Sequence, residues 1–124
     1  MTTAKQQTGT TSYHAGLAAE EIVVRDYLQR GRTLAGRRWR GRSGEIDLIM
    51  REGDRVVFVE VKKSKSMARA AHRLSRRQMD RLCGAATEFV AGEPRGQLTD
   101  MRFDLAMVDA QGRVEILENA FGSA

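Results

Sequence analysis

Asp47, Glu60 and Lys62 are the residues of this chain whose types and spacing point to chemistry. Side chains alternate along a strand, so Glu60 and Lys62 share a face with Val56 and Phe58 in the segment Val56-Val57-Phe58-Val59-Glu60-Val61-Lys62. Charged groups on a strand that is apolar on both sides are costly unless something partners them. On the preceding segment, Asp47 interrupts the apolar run of Ile46, Leu48, Ile49 and Met50. If Gly53-Asp54 is a two-residue hairpin turn, Glu52 pairs with Arg55 and Asp47 falls opposite Glu60. Directly opposed residues carry Cβ atoms about 4.5–5.5 Å apart on one face, and two carboxylates so placed repel until one holds a proton. A divalent cation removes that conflict, and Mg²⁺ takes one or two protein carboxylates with waters and phosphate oxygens around it. Beside such a centre the Lys62 ammonium could orient a water or stabilise charge developing on phosphoryl oxygens. A slip of one residue in the register would put the two acids on opposite faces.

Glu20 offers a third acid. It lies three residues after Leu17, four before Val24 and seven before Tyr27, on the apolar face of a helical stretch, while Glu21 points elsewhere. A shared metal site would partner it, and so would a salt bridge to a nearby arginine. Two basic clusters flank these acids. Arg37, Arg38, Arg40 and Arg42 crowd one stretch, and Lys62, Lys63, Lys65, Arg69, Arg73, Arg76 and Arg77 form the other. Either is a solvated charged face or a track for phosphates. Arg76 and Arg77 stand in the first turn of a helix, where the dipole disfavours cations unless an outside anion binds there. Trp39, among the arginines, either stacks on an exposed base or anchors the edge of the core.

The elements that must position these residues follow from pattern. Residues 1–13 are polar and read as a disordered tail, leaving 14–124 as a single domain. His14 to Arg30 reads as a helix with Leu17, Val24, Tyr27 and Leu28 on one side and Gly31 as its stop. Residues 33–40 read as a basic edge strand, and 44–51 and 55–62 as a hairpin whose second strand is central, apolar on both faces. Residues 63–74 lack apolar periodicity and read as a mobile loop. Ser75 with Gln78 forms a capping box, and Met79, Leu82, Cys83, Ala86, Phe89 and Val90 then make a helical stripe with Cys83 in the core. Glu93-Pro94-Arg95-Gly96 breaks the chain, and strands at 101–108 and 113–118 are joined by Ala110-Gln111-Gly112. The expected fold is α/β, a mixed central sheet flanked by helices in the order α-β-β-β-α-β-β.

Composition bounds the function classes. A chain of 124 residues supports one modest core. A single cysteine excludes an internal disulfide and a multi-thiolate zinc site. The apolar runs fall short of the roughly 18–20 residues of a membrane span, and the N-terminus lacks a secretory apolar stretch, so a cytoplasmic protein away from membranes is expected. The net charge of +5 suggests a polyanionic partner. A phosphate-binding G-x-x-x-x-G-K-[ST] loop and a Ser/His/Asp or Cys/His arrangement are both missing.

Glu20, Gly44-Glu45-Ile46-Asp47-Leu48-Ile49 and Phe58-Val59-Glu60-Val61-Lys62, in that order, resemble the bacterial YraN family. That family looks like a branch of the PD-(D/E)XK nuclease superfamily and is similar to archaeal Holliday junction resolvases. The resemblance runs from Gly16 to Phe121 and takes in Gly16-x-x-x-Glu20, Arg102-Phe103-Asp104 and Asn119-Ala120-Phe121. It implies a restriction-endonuclease-like core, Asp47 and Glu60 as ligands of Mg²⁺ or Mn²⁺, Lys62 as the catalytic lysine and Glu20 as a helix-borne acid of the same site. It implies DNA as partner, branched or distorted DNA among the candidates, and a homodimer, the common state of resolvase-like enzymes. The contacts to phosphates would fall to Arg37, Arg38, Arg40, Arg42, Lys63, Lys65, Arg73, Arg76 and Arg77. The chain departs from the family pattern at Lys63-Ser64-Lys65-Ser66, where the family carries a Thr-Arg pair and a glycine-bearing loop, and at Arg77, where many relatives carry lysine. Two rivals stand beside a nuclease: a non-catalytic nucleic-acid-binding module that keeps the fold, and a scaffold whose basic surface meets an acidic protein.

Overall fold

The computed structural model describes residues 18–121. The expected tail, 1–13, and the start of the first helix, including His14, Gly16 and Leu17, lie outside the described residues. The first helix, α1, is described over 18–29. It buries Ala19, Glu20, Val23, Val24 and Tyr27, one stripe at helical spacing. Leu28, expected on that stripe, is instead 48% exposed. The buried face is centred on Val23 and Val24, and Tyr27 takes the inward place in the last turn.

Five strands follow: β1 Thr33–Arg40, β2 Glu45–Glu52, β3 Arg55–Lys63, β4 Met101–Val108 and β5 Val114–Leu117. They form one sheet in the order β1-β2-β3-β4-β5. All neighbours are antiparallel except β3 and β4, which run parallel. That parallel step needs a crossover, and the chain supplies α2 Met67–His72, α3 Arg76–Val90 and a short 3₁₀ turn Gly96–Leu98. One face of the sheet, through Leu48, Met50, Val57, Val59, Ala106 and Val108, packs on α1. The other, through Ile46, Ile49, Val56 and Phe58, packs on Leu82, Ala85, Ala86 and Val90 of α3. β3 is therefore covered on both sides, as its doubly apolar sequence requires, and each fully buried Val or Leu contributes roughly 1.5–3 kcal/mol. Trp39 packs edge-on against Phe89 at 5.5 Å, and Phe89 meets Phe58 in the same way at 5.8 Å. Trp39 thus anchors the edge of the α3-side core.

Two expectations are corrected here. Residues 63–74 are not a loop: β3 runs to Lys63, and Met67–His72 is a helix. Ser66 caps it, its Oγ accepting from the Arg69 N–H at 3.2 Å, and Ala70 is buried beside Leu105 and Met107 of β4. Ala70, with the half-buried Met67 beside it, docks so short a helix, which leaves no apolar periodicity to detect. The order becomes α-β-β-β-α-α-β-β. Cys83 is exposed, not core. The buried line of α3 is Leu82, Ala85, Ala86 and Val90, and Cys83 falls about 100° around the helix from Leu82. No helix among the described residues is long and apolar enough to cross a membrane.

Candidate functional site

The β2–β3 hairpin sets the site. Gly53, at φ +62°, supplies the left-handed residue of the turn, and Glu52 pairs with Arg55 as the two-residue turn requires. The ladder continues to Leu48 opposite Val59. At Asp47 the side chain joins in, Oδ2 accepting from the Val61 N–H at 2.9 Å. Leu48 belongs to the α1-side core and Ile46 to the α3-side core. Strict alternation would place both on one face, so β2 turns over by one residue at Asp47. The facing strand is irregular at the same level. Arg37 pairs with Leu48 and Trp39 with Ile46, and between them Arg38 has φ +47°, a left-handed conformation that costs a non-glycine residue roughly 1–2 kcal/mol.

This geometry brings Asp47 and Glu60 within side-chain hydrogen-bonding reach of one another. Glu60 is buried, 8% exposed, on the face of Val56 and Phe58 toward α3, as alternation predicts. Burial, and then the charge of Asp47, push its carboxyl up to about 7 against the opposing pull of Lys62. Burial also raises Asp47, against the Val61 N–H and the bond to Glu60. The pair therefore tends to retain a proton near neutral pH. Lys62 Nζ lies 3.3 Å from Glu60 Oε1, so the cation nearest the pair is half-buried with it.

Glu20 is buried on α1, where its carboxyl is raised by burial and then by the charge of Asp47. Arg38 opposes both, with Nε 3.5 Å from Glu20 Oε1 and 3.9 Å from Glu45 Oε1. Of the two alternatives for Glu20, the salt bridge to an arginine is present, and its carboxyl also feels the charge of Asp47. Among the described residues no three His, Cys, Asp or Glu side chains converge as a metal cluster. A cleft of about 230 Å³ opens beside Glu20 and Lys62, lined also by Ala19, Val61, Lys63 and Arg73.

Sequence reasoning missed the role of Gln78. Half of its capping box is present, Ser75 Oγ accepting from the Gln78 N–H at 3.0 Å. The Gln78 side chain goes elsewhere, Nε2 donating to Glu60 Oε1 at 2.8 Å while its Oε1 stands 3.5 Å from Lys62 Nζ. The glutamine at N3 was the signal, but the capping box accounted for it locally.

The basic residues divide. Arg37 pairs with Glu21 at 2.6 Å and Arg40 with Glu45 at 3.2 Å; with Arg38 on Glu20, most of the first cluster is neutralised by α1 and β2. Arg42 is exposed, and its backbone N–H donates to Glu88 at 3.0 Å. In the second cluster, Lys62, Lys63 and Arg73 line the cleft, and Arg73 Nη1 donates to the Lys63 carbonyl at 2.6 Å. Lys65 lines a different hollow with Arg113, Arg76 pairs with Asp80 at 3.4 Å, and Arg77 is exposed.

A five-stranded mixed sheet with helices on both faces and a pair of close acids, Asp47 and Glu60, on its β2–β3 hairpin defines the class. The chain belongs to the Uncharacterised protein family UPF0102, which it matches over residues 19–108. It is 70% identical to a UPF0102 protein of Cereibacter sphaeroides strain KD131 over 115 residues, 93% of this chain and 98% of that protein. A UPF0102 protein of Ruegeria pomeroyi is 65% identical over 114 residues, 92% and 93% of the two chains. One from Roseobacter denitrificans is 56% identical over 119 residues, 96% and 92% of the two. The matched span contains Glu20, Asp47, Glu60, Lys62 and Gln78.

Proposed function

We propose that this chain is a metal-dependent endonuclease acting on DNA, with a restriction-endonuclease-like core of the kind its resemblance to the YraN family and the PD-(D/E)XK superfamily implies. The observation that supports the proposal is the Asp47–Glu60 pair, a half-buried and a buried carboxylate in mutual reach, with one ammonium 3.3 Å from Glu60. Two acids that retain a proton for want of positive charge suit a divalent cation, which takes the proton's place. Oxygen donors favour Mg²⁺ or Mn²⁺ over softer metals, and two carboxylates are enough for Mg²⁺ with a phosphate substrate. Asp47 and Glu60 would hold the ion, while Glu20, paired with Arg38, would contribute its charge from α1. When bound, such an ion supplies a polarised phosphoryl oxygen and a more acidic water.

The chain's own residues do the rest. Lys62 Nζ, 3.3 Å from Glu60, places positive charge where a phosphodiester would gain negative charge in the transition state. Lys63 and Arg73, beside it in the cleft, neutralise flanking phosphates, and the +5 net charge assists approach. The Glu20–Arg38 ion pair favours a second reading, a non-catalytic nucleic-acid-binding module, because it occupies the helix-borne acid.

A cleavage assay on labelled linear, flapped and four-way DNA, with Mg²⁺, Mn²⁺ or EDTA, separates the two. Wild type should give metal-dependent products, and Glu60→Ala should cut at least about 10²–10³-fold more slowly while keeping salt-dependent DNA binding. Tight binding by wild type without products on any substrate would leave the binding module in place of the nuclease.

A further inference from the structure

We propose that Gln78 is a positioning residue of the acid site, holding the Glu60 carboxylate and the Lys62 ammonium in one arrangement from the first turn of α3. The proposal rests on the nuclease reading of that site. Gln78 stands at N3 of α3, where a capping-box glutamine would turn back to the N-cap backbone. Its carboxamide instead spans to β3, donating through Nε2 to Glu60 Oε1 at 2.8 Å, with its Oε1 3.5 Å from Lys62 Nζ. Lys62 closes the ring on the same Glu60 oxygen at 3.3 Å. A carboxamide can donate to an acid and accept from an ammonium at once, so Gln78 serves both charged partners. Both contacts fall on Glu60 Oε1, leaving Oε2 as the oxygen free of either.

The placement has a cause in the fold. Ser75 Oγ caps the Gln78 N–H, fixing the first turn, and the apolar face of α3 fixes the helix on the sheet through Leu82, Ala85 and Ala86. The amide therefore reaches Glu60 from a rigid support, and groups that orient metal-binding carboxylates are typically worth 10–100-fold in affinity or activity.

Two substitutions separate positioning from helix capping. Gln78→Met keeps the length and removes both polar contacts. Gln78→Glu suits the helix start better, since a first-turn acid favours the dipole and can complete the capping box, but it cannot donate to Glu60 when ionised. Steady-state cleavage of the substrate that wild type cuts, thermal melting, and Mn²⁺ binding without DNA, followed by the electron paramagnetic resonance signal of free Mn²⁺, are measured on all three proteins. Both variants should lose about 10–100-fold in kcat with KM within about twofold, Gln78→Glu should melt no lower than wild type, and Gln78→Met should bind Mn²⁺ about 10-fold more weakly. Full activity of Gln78→Glu, or a loss that tracks the melting temperature in both variants, overturns the proposal while the nuclease reading stands. A wild type that neither cuts DNA nor binds Mn²⁺ overturns both.

Discussion

Asp104 and the Asp47–Glu60 pair are acids of the inner strands, Asp104 and Glu60 buried and Asp47 half-buried, and the molecule treats them in opposite ways. Asp104, 1% exposed, accepts from Tyr27 Oη at 2.8 Å, from Arg102 Nε at 2.8 Å and Nη2 at 3.1 Å, and from the Asn119 N–H at 3.2 Å. Arg102 is held in turn by Glu52 at 3.2 Å and Glu118 at 3.4 Å. Burial and then the Asp104 charge raise the Tyr27 hydroxyl far above its usual range, so it stays a donor. Every group there has its partner, and the network ties α1, β4 and the closing segment together. Asp47 and Glu60 have one ammonium, one amide and one backbone N–H between them. A buried acid with a full set of donors locks a fold; an acid pair short of positive charge does not, and that shortage is what supports the proposed cation site.

The largest expected effect tests the lock. Asp104→Ala leaves the Tyr27 hydroxyl without its acceptor and Arg102 with only Glu52 and Glu118, and removing one partner of a buried pair costs about 3–5 kcal/mol. That is a large share of the roughly 5–15 kcal/mol holding a domain of this size. Urea unfolding should show it as a lower midpoint with little change in slope. A loss under about 1 kcal/mol would mean that Asp104 does not tie these elements, and the contrast with the acid pair would go.

The acid pair should respond with the opposite sign. Glu60 is pushed up to about 7 from 4.5, so the folded state holds this proton more tightly than the unfolded chain. The stability contributed is complete below about 4.5 and is lost as pH rises through about 7. The decline between pH 5 and 8 should reach roughly 2–3 kcal/mol without added metal, with the raised Asp47 acting in the same direction. Glu60→Gln removes most of that slope and should be more stable than wild type at pH 8. Equal losses of stability from pH 5 to pH 8 in wild type and Glu60→Gln, read from the urea midpoints, would show that the pair is already neutralised.

Much of this contrast was legible in the sequence because it depends on local rules. Gly53-Asp54 fixes the hairpin, period-two alternation puts Glu60 on the α3 face, and Thr33–Arg40 and Met101–Val108 have the bounds expected for them. What escaped depends on packing between distant elements. Gln78 satisfies a local capping pattern, so nothing local reveals that its amide turns to Glu60. α2 docks through Ala70 and the half-buried Met67 and is too short to show a period. Cys83 and Leu28 sit at the margins of apolar stripes, where a rotation of one residue decides exposure. The pairing of Arg38 with Glu20 needs α1 brought against Arg38 of β1, and charge counting along the chain, which grouped Arg38 with the expected phosphate contacts, carries no sign of it.

The smallest expected effect tests how Asp47 is aimed at its partner. Arg38, between the paired residues Arg37 and Trp39, has φ +47° and stands level with the point where β2 turns over. In an ordinary strand, glycine is less stable than alanine by roughly 0.5–1 kcal/mol. At a left-handed position the order reverses, because alanine pays about 1–2 kcal/mol for its Cβ and glycine does not. Arg38→Gly should therefore be more stable than Arg38→Ala by about 1 kcal/mol in urea unfolding. Both variants remove the same guanidinium from Glu20, so the loss of that ion pair cancels in the comparison. If the alanine variant is the more stable, β1 is regular at Arg38, β2 has no cause to turn over at Asp47, and the pair would not be held within reach by the strands. The contrast with Asp104 would then have to be drawn again.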